Sequence, residues 1–94
     1  MKKPAPNPKI EIETLADGDF RVRVIEGASV STHCVTLKPE DFQRLTTGKA
    51  TPEQLVRRSF EFLLKREPKE SILARFDLAV IARYFPEYEN EIRA

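Results

Sequence analysis

The chain has 94 residues, of which 40% are hydrophobic, 33% charged and 9% aromatic, and this leaves room for one small domain with one core. Sixteen basic and fifteen acidic side chains give a formal charge of +1, so no net field draws the chain toward nucleic acid, a membrane or an acidic substrate. A single cysteine excludes an internal disulfide, and with one histidine the chain lacks the ligand set of a structural zinc site.

The first residues predict an extended tail. Prolines at positions 4, 6 and 8 favour a polyproline-like conformation over residues 1–8, which leaves residues 9–94 for a single α+β domain. No stretch approaches the roughly 18 apolar residues that a bilayer span needs, and the start lacks a signal-peptide core. We therefore expect a cytoplasmic protein without membrane association.

Two alternating segments predict a β-hairpin. Apolar residues alternate with glutamates over 10–13 and with arginines over 20–24. A three-residue loop, Ala16-Asp17-Gly18, with Gly18 in the left-handed conformation, gives a register with one apolar and one charged face. That register pairs Ile10 with Val24, Glu11 with Arg23, Ile12 with Val22 and Glu13 with Arg21.

Residues 30–37 predict a third antiparallel strand, which completes a meander from about Lys9 to Leu37. Its facing is ambiguous, because His33, Val35 and Leu37 share one face while Val30 and Cys34 share the other. Since the charged face of the hairpin must stay in water, we favour Val35 and Leu37 facing the core.

The rest of the chain predicts helices. A first helix begins at Pro39 and ends near Gly48, with Phe42 and Leu45 buried. Thr51-Pro52-Glu53-Gln54 is a capping-box start, and a helix from about Pro52 to Arg66 follows it. The remaining predictions are a short helical turn over Ser71–Phe76, a helix capped by Asp77 with Phe76 and Ile81 as its hydrophobic staple, and a last helix over Pro86–Ile92 with Tyr88 and Ile92 on one side.

These elements predict an α+β fold in which three to four helices pack on one face of the three-stranded meander. The expected core joins Ile10, Ile12, Phe20, Val22 and Val24 to Phe60, Leu63, Leu64, Phe76 and Ile81. A three-stranded sheet has two open edges, so a homodimer formed by edge pairing is expected as a partner interaction.

Catalytic and metal-binding roles find little support in the pattern. His33 and Cys34 are adjacent on a strand, so their side chains face opposite ways and cannot form a dyad with each other. Glu11 and Glu13 could share acid–base work, but the arginines opposite them favour ion pairs. We expect no enzyme, metal or cofactor; a small hydrolase or transferase using Cys34 as nucleophile is a residual hypothesis.

Charge is unevenly distributed along the second half. Basic residues outnumber acidic ones over 49–75, whereas acidic residues outnumber basic ones over 76–94, so the two segments could attract each other within the fold or between two copies of the chain. The basic helix offers Arg57, Arg58, Lys65 and Arg66 to a nucleic acid. Its wide apolar arc and its first turn, which presents Glu53 and Gln54, favour a core helix instead.

An aromatic cluster near the C-terminus is the candidate partner-binding site. Tyr84, Phe85 and Tyr88 lie among glutamates, and tyrosines with a polar tip are common at protein interfaces. The alternative is that these rings close a small core.

Three segments carry a resemblance to a known family: Leu37 with Pro39-Glu40-Asp41, then Ser59-Phe60-Glu61-Phe62-Leu63-Leu64, and Arg75-Phe76-Asp77-Leu78 through Ile81 to Tyr84-Phe85-Pro86-Glu87-Tyr88-Glu89. The chain resembles a family of small uncharacterised bacterial proteins over these segments. Lys38 departs from the family's pattern, since a capping threonine or serine is expected before Pro39. The resemblance implies a shared fold and no functional residue.

The sequence as a whole favours a non-catalytic interaction or regulatory module that binds another protein. The alternative is a nucleic-acid-binding regulator that uses the basic helix 52–66.

Overall fold

The computed structural model describes residues 8–46 and 50–93, and it confirms an α+β fold. Its elements are β1 (Lys9–Thr14), β2 (Asp19–Glu26), β3 (Ser29–Thr36), α1 (Pro39–Thr46), α2 (Pro52–Leu64), β4 (Arg75–Asp77), α3 (Ile81–Tyr84) and α4 (Tyr88–Arg93). Two 3₁₀ turns, Lys69–Ser71 and Leu78–Val80, flank β4. The predicted end of the first helix at Gly48 and the N-terminal tail through residue 7 lie outside the described residues.

The β1–β2 hairpin has the predicted register, with Ile12 opposite Val22 and Glu13 opposite Arg21. Asp17 and Gly18 both have positive φ, at 60° and 79°, which closes the three-residue loop. A Cβ atom on Gly18 would lie 3.0 Å from the carbonyl oxygen of Leu37, so a side chain there would be crowded as well as strained by the positive φ.

Strand β3 turns His33, Val35 and Leu37 inward, as we favoured from the sequence. It pairs antiparallel with β2 over its whole length, and Val22 lies opposite His33. Val30 is exposed and Cys34 is half-buried.

The short helical turn predicted over Ser71–Phe76 is wrong. Only Lys69–Ser71 forms a 3₁₀ turn, and Arg75–Asp77 is the strand β4, which pairs parallel with β3. The backbone N–H of Cys34 donates to the carbonyl of Ala74 at 2.8 Å. The backbone groups of residues 74–77 are therefore satisfied by pairing with the free edge of β3 rather than by hydrogen bonds within a helix. The sheet is therefore four-stranded and mixed, in the order β1-β2-β3-β4.

Helix α2 starts with the predicted capping box. Gln54 N–H donates to the Thr51 hydroxyl at 3.1 Å, and Thr51 N–H donates to the Gln54 side-chain oxygen at 2.9 Å. The helix ends at Leu64, two residues before the predicted end, and the N–H groups of Arg66 and Glu67 both donate to the carbonyl of Leu63.

One hydrophobic core joins the sheet to the helices, as predicted. Of the residues that we expected in it, Ile12, Leu64 and Phe76 are partly buried and the others are buried. Helix α2 crosses the middle of this core, and both Tyr88 and Ile92 of α4 pack into it.

Candidate partner-binding groove

A groove of about 220 Å³ lies beside β4, between the C-terminal end of α2 and helix α3. Leu63, Ile72 and Ile81 line it and are buried, whereas Leu73 and Tyr84 line it with exposed side chains. The lining is mainly apolar. Concave apolar surfaces of this kind are where proteins bind ligands and partner segments.

Exposed apolar side chains are concentrated at this groove. In residues 8–46 and 50–93 the large hydrophobic residues classed as exposed are Tyr84 (67%), Leu73 (49%) and Val30 (46%). Two of these three line the groove. A grouped apolar exposure indicates an interaction site more strongly than a single exposed residue does.

The structure separates the three aromatic residues of the predicted partner-binding site. Tyr84 and Phe85 line the groove, and the Phe85 ring also packs edge-on against Phe62 with the ring centroids 5.8 Å apart. Tyr88 is 0% exposed and also packs edge-on against Phe62, with the ring centroids 5.2 Å apart. The placement of Tyr88 in a surface patch is therefore corrected: this residue belongs to the core, and the surface retains Tyr84 and Phe85.

The Tyr88 hydroxyl is satisfied inside the core by Ser59. The Ser59 hydroxyl donates its one proton to the carbonyl of Leu55 at 2.8 Å, so Tyr88 donates to the Ser59 oxygen, at 2.6 Å. Burial raises the pKa of Tyr88 to about 12.

Local sequence signals shape the wall of the groove on the side of α3. The Asp77 carboxylate accepts a hydrogen bond from Ala79 N–H at 3.0 Å, as expected of the predicted cap, and starts the 3₁₀ turn that leads into α3. The predicted staple residues Phe76 and Ile81 both line the groove. Phe85 N–H donates to the carbonyl of Ile81 at 2.9 Å, and this bond closes the helix just before Pro86.

The segment 69–73, of which Ser71, Ile72 and Leu73 line the groove, is held against the sheet by His33. The Nδ1 atom of His33 is 2.8 Å from the carbonyl oxygen of Leu73, and its Nε2 atom is 2.8 Å from the Ser31 hydroxyl. Because a carbonyl only accepts, we assign the proton of a neutral imidazole to Nδ1, so that the Ser31 hydroxyl donates to Nε2. The Ser31–His33 contact follows from the two-residue spacing on a strand, which the sequence interpretation missed.

Lys69 fixes the other end of the same segment. Its side chain is 2% exposed, donates to the Ser29 hydroxyl at 2.6 Å, pairs with Glu70 and lies 3.6 Å from Glu26. The hydrogen bond between Lys69 and Glu70 raises the pKa of Lys69 and lowers the pKa of Glu70. No sequence signal distinguishes this lysine from an ordinary loop residue, since it follows a proline and precedes a glutamate.

The residues proposed for nucleic-acid binding are partly engaged inside the fold. Arg57 donates to the carbonyl of Ile10 at 2.8 Å. Arg66 bonds Glu87 at 3.1 Å and Glu91 at 2.9 Å, and its guanidinium lies 3.6 Å from the centroid of the Phe62 ring. Arg58 and Lys65 line a second hollow together with the acidic residues Glu61 and Glu91. Basic and acidic side chains therefore lie side by side on the face of α2 that was predicted to bind nucleic acid.

The predicted attraction between the basic middle and the acidic end is confirmed. It consists of the two ion pairs of Arg66 with Glu87 and Glu91, while Arg44 of α1 bridges Asp41 and Glu89. The hydrogen bonds that Arg44 donates to the carboxylates of Glu89 and Asp41 raise the pKa of Arg44. The pKa of Glu87 is lowered by a backbone hydrogen bond and by Arg66.

The residues weighed for catalysis lie as strand geometry predicts. His33 is buried on the helix side of β3, and Cys34 is half-buried on the alternate side. Glu11 and Glu13 are paired with Arg23 at 2.9 Å and with Arg21 at 2.6 Å. Among the described residues, no group of three or more histidines, cysteines, aspartates or glutamates could hold a metal ion.

Comparisons of the chain with known protein families, with curated proteins and with solved structures gave no match. Within the described residues, no helix combines the length and the apolar character that crossing a bilayer requires.

Proposed function

We propose that this protein is a non-catalytic module that binds another protein through the groove beside β4. The observation that carries the proposal is the exposure of Leu73 and Tyr84 in the lining of a groove that also includes the buried apolar side chains of Leu63, Ile72 and Ile81. Covering one large apolar side chain fully contributes about 1.5–3 kcal/mol, so these two residues can anchor a partner segment.

The rigidity of both walls supports this function. The segment 69–73 is tied to β3 through Lys69 and through the Leu73 carbonyl, and α3 is tied to β4 by the Asp77 cap. A groove whose walls are held in place before binding loses little conformational entropy when a partner enters it.

Affinity capture with matched variants tests the proposal. Wild-type protein, Leu73→Glu, Tyr84→Ala and the control Val30→Ser are immobilised, and the proteins retained from cells that naturally express the chain are quantified by mass spectrometry. Val30 is a suitable control because it is exposed and apolar but lies outside the groove. We expect the same proteins on wild type and on Val30→Ser, and their loss from both groove variants. Equal retention by all four folded proteins contradicts the proposal.

Edge pairing into a homodimer is a second proposal, which the position of β1 supports. No described strand lies on the outer side of β1, and Arg57 reaches the Ile10 carbonyl from that side. The carbonyl of Ile10 therefore points away from β2, as the backbone groups of an open edge do. Sedimentation velocity at micromolar concentration tests the dimer, and a monomer at every concentration contradicts it.

The remaining sequence interpretations stay predictions. Nucleic-acid binding by Arg57, Arg58, Lys65 and Arg66 has weaker support, since two of these arginines bond within the fold. Failure to bind random duplex DNA in low salt would remove that alternative, because phosphate contacts strengthen as salt falls. The cytoplasmic location and the resemblance to a bacterial family also stay predictions.

A further inference from the structure

The groove contains a carboxylate that has no partner among the residues that the structure describes. Glu67 lines the groove and is half-buried, and its backbone N–H is held by the Leu63 carbonyl at 2.9 Å. Within residues 8–46 and 50–93 its side chain makes no hydrogen bond or ion pair. Its neighbour Arg66 is already bonded to Glu87 and Glu91.

Other acidic residues of the described chain differ from Glu67 in one of two ways. Most have a basic or hydrogen-bonding partner, as Glu13 has in Arg21. Asp17, Glu40 and Glu61 have no such partner in the described part, but they are exposed, and water solvates them. Glu67 alone among these combines partial burial, an apolar surrounding and no partner.

The position of Glu67 adds to the negative potential of the groove. It follows the C-terminal end of α2, where helix carbonyl groups concentrate partial negative charge. A carboxylate at this end of a helix is not stabilised by the helix dipole. A cation that enters the groove from outside would be attracted both by the Glu67 carboxylate and by the partial negative charge at the end of α2.

We propose that the groove binds a partner-protein segment that carries a lysine or arginine next to a large apolar side chain, with the cation paired to Glu67 and the apolar side chain between Leu73 and Tyr84. This inference rests on the proposed function and adds the chemistry of the partner.

Desolvation explains why a cation is required. Any segment that fills the groove removes water from the Glu67 carboxylate, and a buried carboxylate without a partner is unfavourable. A purely apolar segment therefore binds at a penalty, and an acidic segment adds charge repulsion. A basic group replaces the lost water with a charge-assisted hydrogen bond.

A phage-displayed library of short random peptides tests the inference without a known partner. The library is selected in parallel on wild type, on Glu67→Gln, on the control Glu61→Gln and on the groove-blocked Leu73→Glu. Glu61→Gln removes the same charge from an exposed position of α2 outside the groove. Glutamine is nearly isosteric with glutamate, so both charge variants are expected to fold.

The expected result is that wild type and Glu61→Gln select peptides that join an apolar residue to lysine or arginine, whereas Glu67→Gln selects apolar peptides without the basic enrichment. For one basic peptide we expect the dissociation constant to rise about 10-fold in Glu67→Gln, which corresponds to one charge-assisted hydrogen bond. Replacing the basic residue of that peptide by glutamine should have no further effect on Glu67→Gln.

Three outcomes contradict the inference, and they differ in whether the proposed function of the groove is also contradicted. Apolar peptides selected equally by wild type and Glu67→Gln contradict the role of Glu67 but keep the groove as a binding site. Absence of peptides that require Leu73 contradicts the proposed function as well. A concentration-dependent dimer that Leu73→Glu dissolves shows that the occupant is a second copy of the chain.

Discussion

Replacing Tyr88 by alanine is expected to destabilise the domain strongly, because the ring is fully buried among core residues. Truncating a buried aromatic residue to alanine costs about 3–5 kcal/mol. A domain of this length has a total stability of about 5–14 kcal/mol, so Tyr88→Ala removes a large part of it. Tyr88→Phe keeps the ring and loses only the hydrogen bond to Ser59, at a cost of about 1 kcal/mol.

Urea unfolding followed by far-ultraviolet circular dichroism measures these differences. Tyr84→Ala is the matched control, since Tyr84 is 67% exposed and its loss should change stability by no more than about 0.5 kcal/mol. The expected order of unfolding midpoints is wild type and Tyr84→Ala, then Tyr88→Phe, then Tyr88→Ala. Equal midpoints for Tyr84→Ala and Tyr88→Ala would refute the burial of Tyr88.

Alkaline pH gives an independent measurement on the same residue. Burial raises the pKa of Tyr88 from its ordinary value of 10.0 to about 12 in the folded state. A folded-state pKa above the unfolded one contributes stability that is complete below pH 10 and is lost as the pH rises through about 12. A shift of this size corresponds to about 2–3 kcal/mol. Tyr88→Phe should lack this loss, and an unchanged pH dependence in that variant contradicts the assignment.

Three further substitutions test other parts of the fold. Thr51→Ala removes the capping box of α2 and should lower the free energy of unfolding by about 1 kcal/mol in a urea titration; no change would show that the cap is dispensable. Gly18→Ala should destabilise the hairpin by about 1 kcal/mol or more, because φ is +79° and the new methyl group would crowd the Leu37 carbonyl; a variant as stable as wild type in thermal unfolding contradicts this. Arg57→Met removes the donor to the Ile10 carbonyl and should increase self-association in sedimentation velocity, whereas an unchanged sedimentation coefficient argues that the arginine does not shield the edge.

Local signals allowed the hairpin and the start of α2 to be predicted. The alternation around Ile12 and Val22 leaves two possible registers, and the loop ending in Gly18 selects one of them. Thr51 and Gln54 satisfy each other's backbone groups without any tertiary contact. In both places the determining interactions lie within a few residues along the chain.

Tertiary interactions decided what the sequence could not. Arg75–Asp77 is a strand only because β3 offers a free edge beside it, and three residues carry no periodic pattern. Tyr84 and Tyr88 are four residues apart, a spacing that puts both on one face of a continuous helix. The local pattern therefore does not show that only Tyr88 is buried. Lys69 lies in a segment that resembles a solvated loop, yet it contacts Glu26 at the end of β2 and Ser29 at the start of β3.

The sequence predicted only part of the candidate site, because the rest of the site depends on tertiary contacts. The sequence predicted a surface patch of Tyr84, Phe85 and Tyr88, of which Tyr88 is buried. The groove also needs Leu73, which precedes β4, and Glu67, which follows α2. These residues come together only when β4 docks on the sheet.

The parallel strand β4 has a consequence for how copies of this chain can assemble. It pairs with Cys34–Thr36 of β3 and so becomes one edge of the sheet, with three residues, whereas the opposite edge, β1, has six. Pairing of β1 with β1 of a second copy is an isologous contact, in which each copy uses up the edge that the other needs. Such an assembly closes at two subunits, whereas pairing of β1 with the β4 edge of another copy would be heterologous and could propagate into a filament.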